Sequence, residues 1–264
     1  MLPVREFGKG GELISLLGIG TVWFGRRWPE DNAKYIYPDE AEIDAYLDRL
    51  LNEIKADNGS LMIDTAPAYG RSEEFIGRYF RKNSDLLRRS FIATKWGEKF
   101  DISTGTSTLC HSRKDLIGSF KESISRLPKV DLLYIHRTTC EVLEDKEVIA
   151  ELEAMRNRNT GGLRYIGASI STEKILEDAI GKELLGWADV VQLPASVFLK
   201  RPDLIGKMLR CGARIVLNSP VRRSDGARPE NIFRDLSSCS EISVILTGTR
   251  MHMKEVLGYF CSSK

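Results

Sequence analysis

Short apolar runs alternate with amphipathic segments along the whole chain. The runs are rich in Ile, Val and Leu, which is typical of parallel strands that are covered on both faces. The predicted strands are Ser15–Gly20, Leu61–Asp64, Phe91–Lys95, Leu132–His136, Tyr165–Ser169, Val190–Leu193, Ile215–Asn218 and Val244–Thr247.

Between these runs, apolar residues recur at helical spacing. Leu116, Phe120 and Ile124, for example, recur at intervals of four after Ser112, which is a suitable N-cap residue. The predicted helices are Asp39–Ala56, Ser112–Leu127, Val148–Met155, Thr172–Leu185, Pro202–Arg210 and Met253–Phe260. Two long stretches that follow strands, Gly25–Pro38 and Lys99–His111, are predicted to be irregular and to form pocket walls.

The alternation of strands and helices predicts an α/β fold, and specifically a (β/α)8 TIM barrel. A length of 264 residues suits eight strand–helix repeats in one domain, residues 1–264. An open doubly wound sheet is the competing architecture. No Gly-x-Gly-x-x-Gly follows the first predicted strand and no Walker A pattern occurs, so the barrel is preferred.

The amino-acid composition limits the kinds of molecule that the chain is expected to bind. The chain is 42% apolar and 29% charged, as in soluble globular proteins, and its net charge is +2. This small charge implies no broad attraction to nucleic acid or to a membrane surface. The five cysteines form no Cys-x-x-Cys pair, so we expect reduced thiols in a cytoplasmic protein, without a disulfide framework or a metal site. Oligomeric state is left open.

Four polar residues that can exchange protons lie at or just after three consecutive predicted strands. They are Asp64, Tyr69, Lys95 and His136. The C-terminal ends of parallel barrel strands meet at one mouth, so these side chains are expected to converge there. Taken singly, each has an ordinary structural explanation, such as a helix cap or loop packing. Their order along the chain favours one catalytic site.

The chemistry of this set suits proton transfer to a carbonyl oxygen. Asp64 would keep a buried Lys95 charged, and the charged lysine would lower the pKa of Tyr69. Tyr69 would then act as general acid near neutral pH, while His136 would donate a hydrogen bond that orients the carbonyl. A Schiff-base aldolase that uses Lys95 is an alternative, but its amine must be neutral, which the pairing with Asp64 opposes.

These segments resemble the aldo-keto reductase family. The resemblance extends from Leu17-Gly18-Ile19-Gly20-Thr21 to Thr247-Gly248-Thr249-Arg250. It implies a catalytic tetrad of Asp64, Tyr69, Lys95 and His136, with NADPH as hydride donor and a small carbonyl compound as substrate. The expected reaction is the reduction of an aldehyde, ketone or sugar-like carbonyl to the alcohol.

The resemblance also implies a cofactor site in the second half of the chain. Its expected contacts are Gly20, Thr21, Ser169, Gln192, Asn218, Ser219, Pro220, Arg222, Gly248, Thr249 and Arg250, with Arg250 on the 2′-phosphate. Trp23 and Trp96 are expected to line the substrate pocket. Three positions depart from the family pattern, with Ile170 and Val256 in place of Asn and Asn218 in place of an aromatic residue. Because of these departures, the alternative is a non-catalytic barrel that binds a nucleotide or a protein partner.

Overall fold

The computed structural model describes residues 2–8, 11–27, 34–53, 59–221, 228–248 and 252–261. Its strands are β1 (Val4–Phe7), β2 (Glu12–Ser15), β3 (Leu17–Gly20), β4 (Gly59–Asp64), β5 (Ser90–Trp96), β6 (Glu98–Asp101), β7 (Thr106–Leu109), β8 (Leu132–Ile135), β9 (Tyr165–Ser169), β10 (Val190–Pro194), β11 (Arg214–Asn218) and β12 (Ile242–Thr247).

The helices surround these strands. They are α1 (Val22–Gly25), α2 (Glu40–Glu53), α3 (Ser72–Lys82), α4 (Arg113–Arg126), α5 (Cys140–Glu144), α6 (Lys146–Asn157), α7 (Glu173–Gly181), α8 (Ala195–Lys200), α9 (Pro202–Arg210), α10 (Pro229–Ser238) and α11 (Met253–Cys261). Short 3₁₀ helices cover Pro67–Tyr69, Ser84–Arg89 and Thr160–Gly162. Among the described residues, no helix is both long and apolar enough to cross a membrane.

Eight parallel strands close into a barrel, which confirms the predicted fold class. The order around the barrel is β3, β4, β5, β8, β9, β10, β11 and β12, and β12 pairs with β3 to complete the circle. Each neighbouring pair is parallel. The predicted strands therefore occur in the predicted order, with ends that differ by at most two residues.

Side chains of each barrel strand alternate between the interior and the layer under the helices, because successive residues of a strand point to opposite faces. Phe91 and Ala93 of β5 belong to the interior cluster, whereas Ile92 and Trp96 belong to the larger outer cluster. This alternation decides which strand-end residues reach the mouth of the barrel.

An antiparallel hairpin closes the end of the barrel at which the strands begin. Strands β1 and β2 pair with each other, and β2 also pairs with the start of β4. Phe7 is fully buried, and its ring packs edge-on against Phe91 and Tyr165 at centroid distances of 5.0 and 5.4 Å. The expectation of one strand over Ser15–Gly20 is wrong here, because Ser15 ends the hairpin and the barrel strand begins at Leu17.

The predicted helices are found, although α7 ends four residues before the predicted Leu185, and the predicted end of the helix Asp39–Ala56 lies outside the described residues. Ser112 caps α4 by accepting a hydrogen bond from the backbone N–H of Asp115 at 3.2 Å, and α9 has the predicted bounds. Helices α1, α3, α5, α8 and α10 were not predicted. The stretch Lys99–His111, predicted to be irregular, instead contains most of the antiparallel hairpin β6–β7.

Candidate active site

Three strand ends bring the candidate catalytic residues together. Asp64 ends β4, Lys95 lies near the end of β5, and His136 follows β8, and these strands are neighbours in the barrel. The Lys95 ammonium group donates a hydrogen bond to Oδ1 of Asp64 and forms an ion pair with it. The side chains of Lys95 and Asp64 are only 1% and 4% exposed, so this ion pair is shielded from water.

Tyr69 reaches the same ion pair from the loop after β4. Nζ of Lys95 lies 3.3 Å from the Tyr69 hydroxyl oxygen and donates a hydrogen bond to it. The tyrosine ends a 3₁₀ helix that begins at Pro67, and the next residue, Gly70, has a φ of +62°. A Cβ at Gly70 would lie 2.1 Å from the carbonyl oxygen of Gly25, so only glycine permits this close approach of the two loops.

Hydroxyl groups hold the backbone of Asp64 in place. Thr21 donates hydrogen bonds to the carbonyl oxygen of Asp64 from both its N–H and its Oγ, each at 3.0 Å. Ser72 donates to Thr21 at 2.7 Å, and Thr65 donates to Ser72 at 3.0 Å. Thr21 is fully buried and does not line the cavity at the mouth. The hydroxyl of Thr21 thus serves Asp64, and its expected contact with a cofactor stays a prediction.

His136 faces Tyr69 across the mouth. The two rings lie 5.8 Å apart between centroids, in an edge-to-face arrangement. Nδ1 of His136 lies 3.1 Å from Oε2 of Glu98, the first residue of β6. Gly97 makes this possible, because its φ is +105° and a Cβ there would lie 2.4 Å from Cδ2 of His111. The chain can thus turn sharply after β5 and bring Glu98 over the mouth.

The protonation preferences of this site follow from burial and from neighbouring charges. Burial lowers the pKa of Lys95, but Asp64 and Tyr69 raise it more, so its pKa lies above the ordinary value. Burial raises the pKa of Tyr69, and the opposing effect of Lys95 is smaller. The expectation that the pKa of Tyr69 is lowered is therefore wrong for this structure, because desolvation outweighs the single cation.

His136 is held in its neutral form. Burial lowers its pKa well below the ordinary value, and the positive charges of Lys95, Arg137 and Arg26 lower it further. A charged Lys95, a protonated Tyr69 and a neutral His136 are consequently the favoured states at neutral pH. This combination provides a proton donor beside a buried cation.

A cavity of about 1040 Å³ opens above these residues. Its first half, the catalytic half, is lined by residues at or after the ends of the early strands. These residues are Val22, Arg26, Asp64, Tyr69, Glu98, His136 and Arg137. Its second half is lined by residues that follow the later strands: Gln192, Asn218, Ser219, Pro220, Val221, Thr247 and Gly248, with parts of α10 and α11. The volume is at the upper end of the range for ligand pockets, so the cavity can hold more than a small substrate.

Polar side chains of three neighbouring strands meet beside the second half, which Gln192 and Asn218 line. Ser169 donates a hydrogen bond to Oε1 of Gln192 at 2.9 Å, and Asn218 donates to the same oxygen at 3.3 Å. The amide nitrogen of Gln192 donates to Oδ2 of Asp64 at 2.8 Å. These three residues were expected from the sequence, and a hydroxyl beside two amides provides the donors and acceptors that a carboxamide requires.

The other expected cofactor residues divide into two groups. Gly20, Ser219, Pro220 and Gly248 line the cavity, whereas Arg222, Thr249 and Arg250 lie outside the described residues.

The departures from the family pattern also fall in different places. Val256 lines the cavity, while Ile170 is fully buried in the outer cluster, since it follows the inward-facing Ser169. The hydrophobic side chain at Ile170 therefore packs under the helices and does not face the mouth.

The two tryptophans expected to line the substrate pocket do not reach it. Trp96 follows the inward-pointing Lys95, so its ring points outward, is 1% exposed and packs against His111. Trp23 is 3% exposed and packs edge-on against Phe24 and Tyr46. Neither ring lines the cavity. Both predictions are wrong for the same reason, which is that large aromatic rings gain most from burial in the core.

Several cavity residues were missed by the sequence analysis. Arg26, Glu98 and Arg137 line the catalytic half, and Phe233 and Tyr259 line the second half. Arg137 directly follows the predicted His136, which was a usable signal. Arg26 lies in the stretch Gly25–Pro38, which was predicted to form a pocket wall, although the residue itself was not singled out. The other three lie in segments that showed no strand-end pattern, so their place at the mouth depends on tertiary structure.

Most of the chain matches a family of known proteins. A family model described as "Aldo/keto reductase family" matches residues 16–229. A curated relative, the aldo-keto reductase str7 of Strobilurus tenacellus, is 25% identical over 227 residues. This match covers 84% of the chain and 62% of the relative, so the chain spans less than two thirds of the relative's length.

Solved structures share the fold. An aldo-keto reductase from Pseudomonas aeruginosa superposes with a TM-score of 0.74 at 23% identity, covering 98% of this chain and 94% of that one. Aldo-keto reductase AKR11C1 from Bacillus halodurans, in its holo form, gives 0.73 at 16% identity and covers 98% and 91%. The Bombyx mori aldo-keto reductase AKR2E4, solved with NADP, gives 0.65 at 17% identity and covers 100% and 88%.

Proposed function

We propose that this chain, which belongs to the aldo/keto reductase family, is an oxidoreductase that reduces an aldehyde or ketone to the alcohol with NADPH. One observation carries the proposal. The hydroxyl of Tyr69 lies 3.3 Å from Nζ of Lys95, Lys95 is paired with the buried Asp64, and both Tyr69 and Asp64 line a cavity that also exposes His136.

The second half of the cavity fits the cofactor. Ser169, Gln192 and Asn218 offer a hydroxyl and two amides for the carboxamide of nicotinamide. Farther along the cavity, the stacked rings of Phe233 and Tyr259, with centroids 5.9 Å apart, offer apolar surface for an adenine. Ser219, Pro220 and Gly248 would lie beside the phosphates, and NADP in the Bombyx mori relative supports this choice of cofactor. When bound, NADPH supplies the hydride.

The residues of the catalytic half would manage the proton and the orientation of the substrate. Reduction adds a hydride to the carbonyl carbon and a proton to its oxygen, and Tyr69 is the proposed donor of that proton. Lys95 would stabilise the tyrosinate that remains, since a cation 3.3 Å from the oxygen favours the charged form. Asp64 keeps the lysine charged and in position, and His136 would contact the substrate oxygen from the opposite side.

Lysine chemistry of another class fits the site less well. A Schiff-base aldolase requires a neutral amine, but the pKa of Lys95 lies above its ordinary value, because Asp64 and Tyr69 outweigh the effect of burial. The ammonium group also donates to the carbonyl oxygen of Thr65 at 3.1 Å. Three acceptors therefore occupy the three donors of this lysine.

Two measurements on the purified protein test the proposal. Quenching of tryptophan fluorescence by NADPH reports cofactor binding, and loss of NADPH absorbance in the presence of an aromatic aldehyde reports turnover. Binding followed by aldehyde-dependent oxidation is the expected result. Binding without turnover across aldehydes and ketones would favour the non-catalytic barrel. Failure to bind NADPH or NADH would contradict the proposal itself.

A further inference from the structure

The catalytic half of the cavity contains a cluster of charged residues that the proposed proton transfer does not use. Its members are Arg26, Glu98 and Arg137, and all three line the cavity beside His136. Oε1 of Glu98 accepts hydrogen bonds from Arg26 at 3.2 Å and from Ser107 at 2.6 Å. Oε2 of Glu98 lies 3.1 Å from Nδ1 of His136. The carboxylate of Glu98 is therefore fully engaged.

Arg26 is committed to the structure. Its side chain is 8% exposed and donates to the carbonyl oxygen of Ala68 at 3.2 Å as well as to Glu98. Its guanidinium group also lies 3.9 Å from the centre of the Phe100 ring, which belongs to β6. Arg26 thus ties the β6–β7 hairpin to the loop that carries Tyr69.

Arg137 is the more available cation. Its side chain is 53% exposed, and it pairs at 3.7 Å with Oε1 of Glu98, which Arg26 already binds. Among the described residues, Arg137 makes this ion pair and no side-chain hydrogen bond. A guanidinium group has five N–H donors in a planar fork that matches a carboxylate. Arg137 therefore faces the cavity with donors available for a ligand.

The backbone holds Arg137 at this position. Its φ is +46°, in the left-handed region that residues with side chains rarely adopt. Backbone hydrogen bonds of the two neighbouring residues fix this conformation. The N–H of His136 donates to the carbonyl oxygen of Trp96 at 2.7 Å, and the N–H of Thr138 donates to the carbonyl oxygen of Ser169 at 3.2 Å. The side chain is consequently placed directly beside the residue that contacts the substrate oxygen.

The balance of charge around the substrate oxygen is positive. Lys95 and Asp64 neutralise each other, and His136 is neutral because burial and nearby cations lower its pKa. The remaining cluster has two arginines and one glutamate, hence one excess positive charge. A positive site with available guanidinium donors attracts an anion and disfavours a cation.

Resting on the function proposed above, we infer that the substrate is a carbonyl compound with a carboxylate several bonds from its carbonyl group, and that Arg137 binds this carboxylate. The carbonyl would lie between Tyr69 and His136, and the acid group would extend toward the rim of the catalytic half. Arg137 is then the residue that determines specificity for acidic over neutral aldehydes.

A matched pair of aldehydes tests this inference. 4-Formylbenzoate and its methyl ester share the ring and the aldehyde, and they differ in charge. The native protein should show a kcat/KM at least about 10-fold higher for the acid than for the ester, as expected for charge-assisted hydrogen bonds. Arg137→Gln should remove most of this preference, and Arg137→Lys, which keeps the charge but not the fork, should retain part of it.

Lys99→Gln is the control. Lys99 is an exposed cation of β6, the strand that begins with Glu98, but it is paired with Asp115 at 3.1 Å and does not line the cavity. Its loss should leave the ratio for acid over ester unchanged. Equal kcat/KM for acid and ester in the native protein would overturn the inference, as would a preference that survives Arg137→Gln or is lost in Lys99→Gln.

A binding measurement separates this inference from the proposed function. Calorimetric titration with 4-(hydroxymethyl)benzoate, the alcohol product, requires no turnover. Binding that weakens by about 10-fold or more in Arg137→Gln supports the carboxylate site even if neither aldehyde is reduced. The inference is overturned if 4-(hydroxymethyl)benzoate binds equally well to the native protein and to Arg137→Gln, or if it binds no better than its methyl ester. Either result would leave the proposed NADPH-dependent reduction of neutral aldehydes intact.

Discussion

Gln192 donates a hydrogen bond from its amide nitrogen to Oδ2 of Asp64 at 2.8 Å, and this bond joins the two halves of the cavity. The other oxygen of Asp64 binds Lys95. One carboxylate therefore connects the proposed proton donor system to the residues proposed to hold the cofactor. Changes at Gln192 are expected to affect both.

Gln192→Leu should destabilise the fold by about 1–3 kcal/mol, because it leaves a buried carboxylate oxygen without its donor. It should also weaken NADPH and NADH to a similar degree, since both carry the same carboxamide. Urea unfolding and fluorescence titration measure these effects. Asn218→Ala removes only the longer hydrogen bond to Gln192. It should therefore reduce both the stability and the affinity for the cofactor by less than Gln192→Leu does. Unchanged stability in Gln192→Leu would show that the bond to Asp64 contributes nothing.

Tyr69→Phe should reduce turnover by about 10²-fold or more and leave cofactor binding in place. The change keeps the ring and removes the hydroxyl that accepts from Lys95. Steady-state rates with an aromatic aldehyde, together with NADPH titration, measure the two effects. Tyr37→Phe is a matched control, since Tyr37 is 47% exposed and does not line the cavity. Turnover by Tyr69→Phe at the native rate would rule out this residue as the proton donor.

Lys95→Met should lower the free energy of unfolding by about 3–5 kcal/mol, because it leaves Asp64 buried without its cation. Adding Asp64→Asn should recover part of this loss, since the lone buried charge is then gone as well. Chemical unfolding of both single variants and the double variant gives the coupling free energy. Additive effects would mean that the two side chains do not stabilise each other in the folded protein.

The pH dependence of reduction should reflect the raised pKa of Tyr69. A raised pKa keeps the phenol protonated to higher pH, and reduction requires this protonated form. The kcat/KM for reduction should therefore stay level on the alkaline side up to at least about pH 10, the ordinary pKa of tyrosine. An alkaline fall of kcat/KM with an apparent pKa near neutrality would contradict this direction. So would a tyrosine ionisation near neutrality in the ultraviolet titration of the native protein that Tyr69→Phe lacks.

Arg250→Ala should weaken NADPH by roughly 10-fold or more and change NADH little, if Arg250 binds the 2′-phosphate as the family resemblance implies. Arg250 lies outside the described residues, so this prediction rests on the sequence. Parallel titrations with both dinucleotides measure the difference. Equal weakening of the two would assign Arg250 another role, and Arg222→Ala then becomes the next variant to titrate.

Strand periodicity and strand ends were strong predictors of the barrel. Lys95 was found because it ends an apolar run, and the register of β5 with β4 and β8 then brings it to Asp64 and toward His136. Trp96 was assigned to the wrong face because the sequence analysis did not apply the same alternation one residue further. The inward position of Lys95 requires that Trp96 point outward.

The residues that the sequence did not predict are those whose positions depend on distant segments. Glu98 reaches His136 because Gly97 turns the chain, and Arg26 meets Glu98 from a loop 72 residues earlier. The direction of the pKa shift of Tyr69 was wrong for a related reason. A nearby lysine is visible in the sequence as a candidate neighbour, whereas the degree of desolvation appears only once the loops are packed.

The hairpin of β1 and β2 also determines how molecules enter and leave. Phe7 packs with the interior side chains at one end of the barrel, and the cavity lies at the other end. If the proposed function holds, cofactor and substrate therefore enter through the same opening. We then expect the reactant that lies deeper to bind first and to leave last.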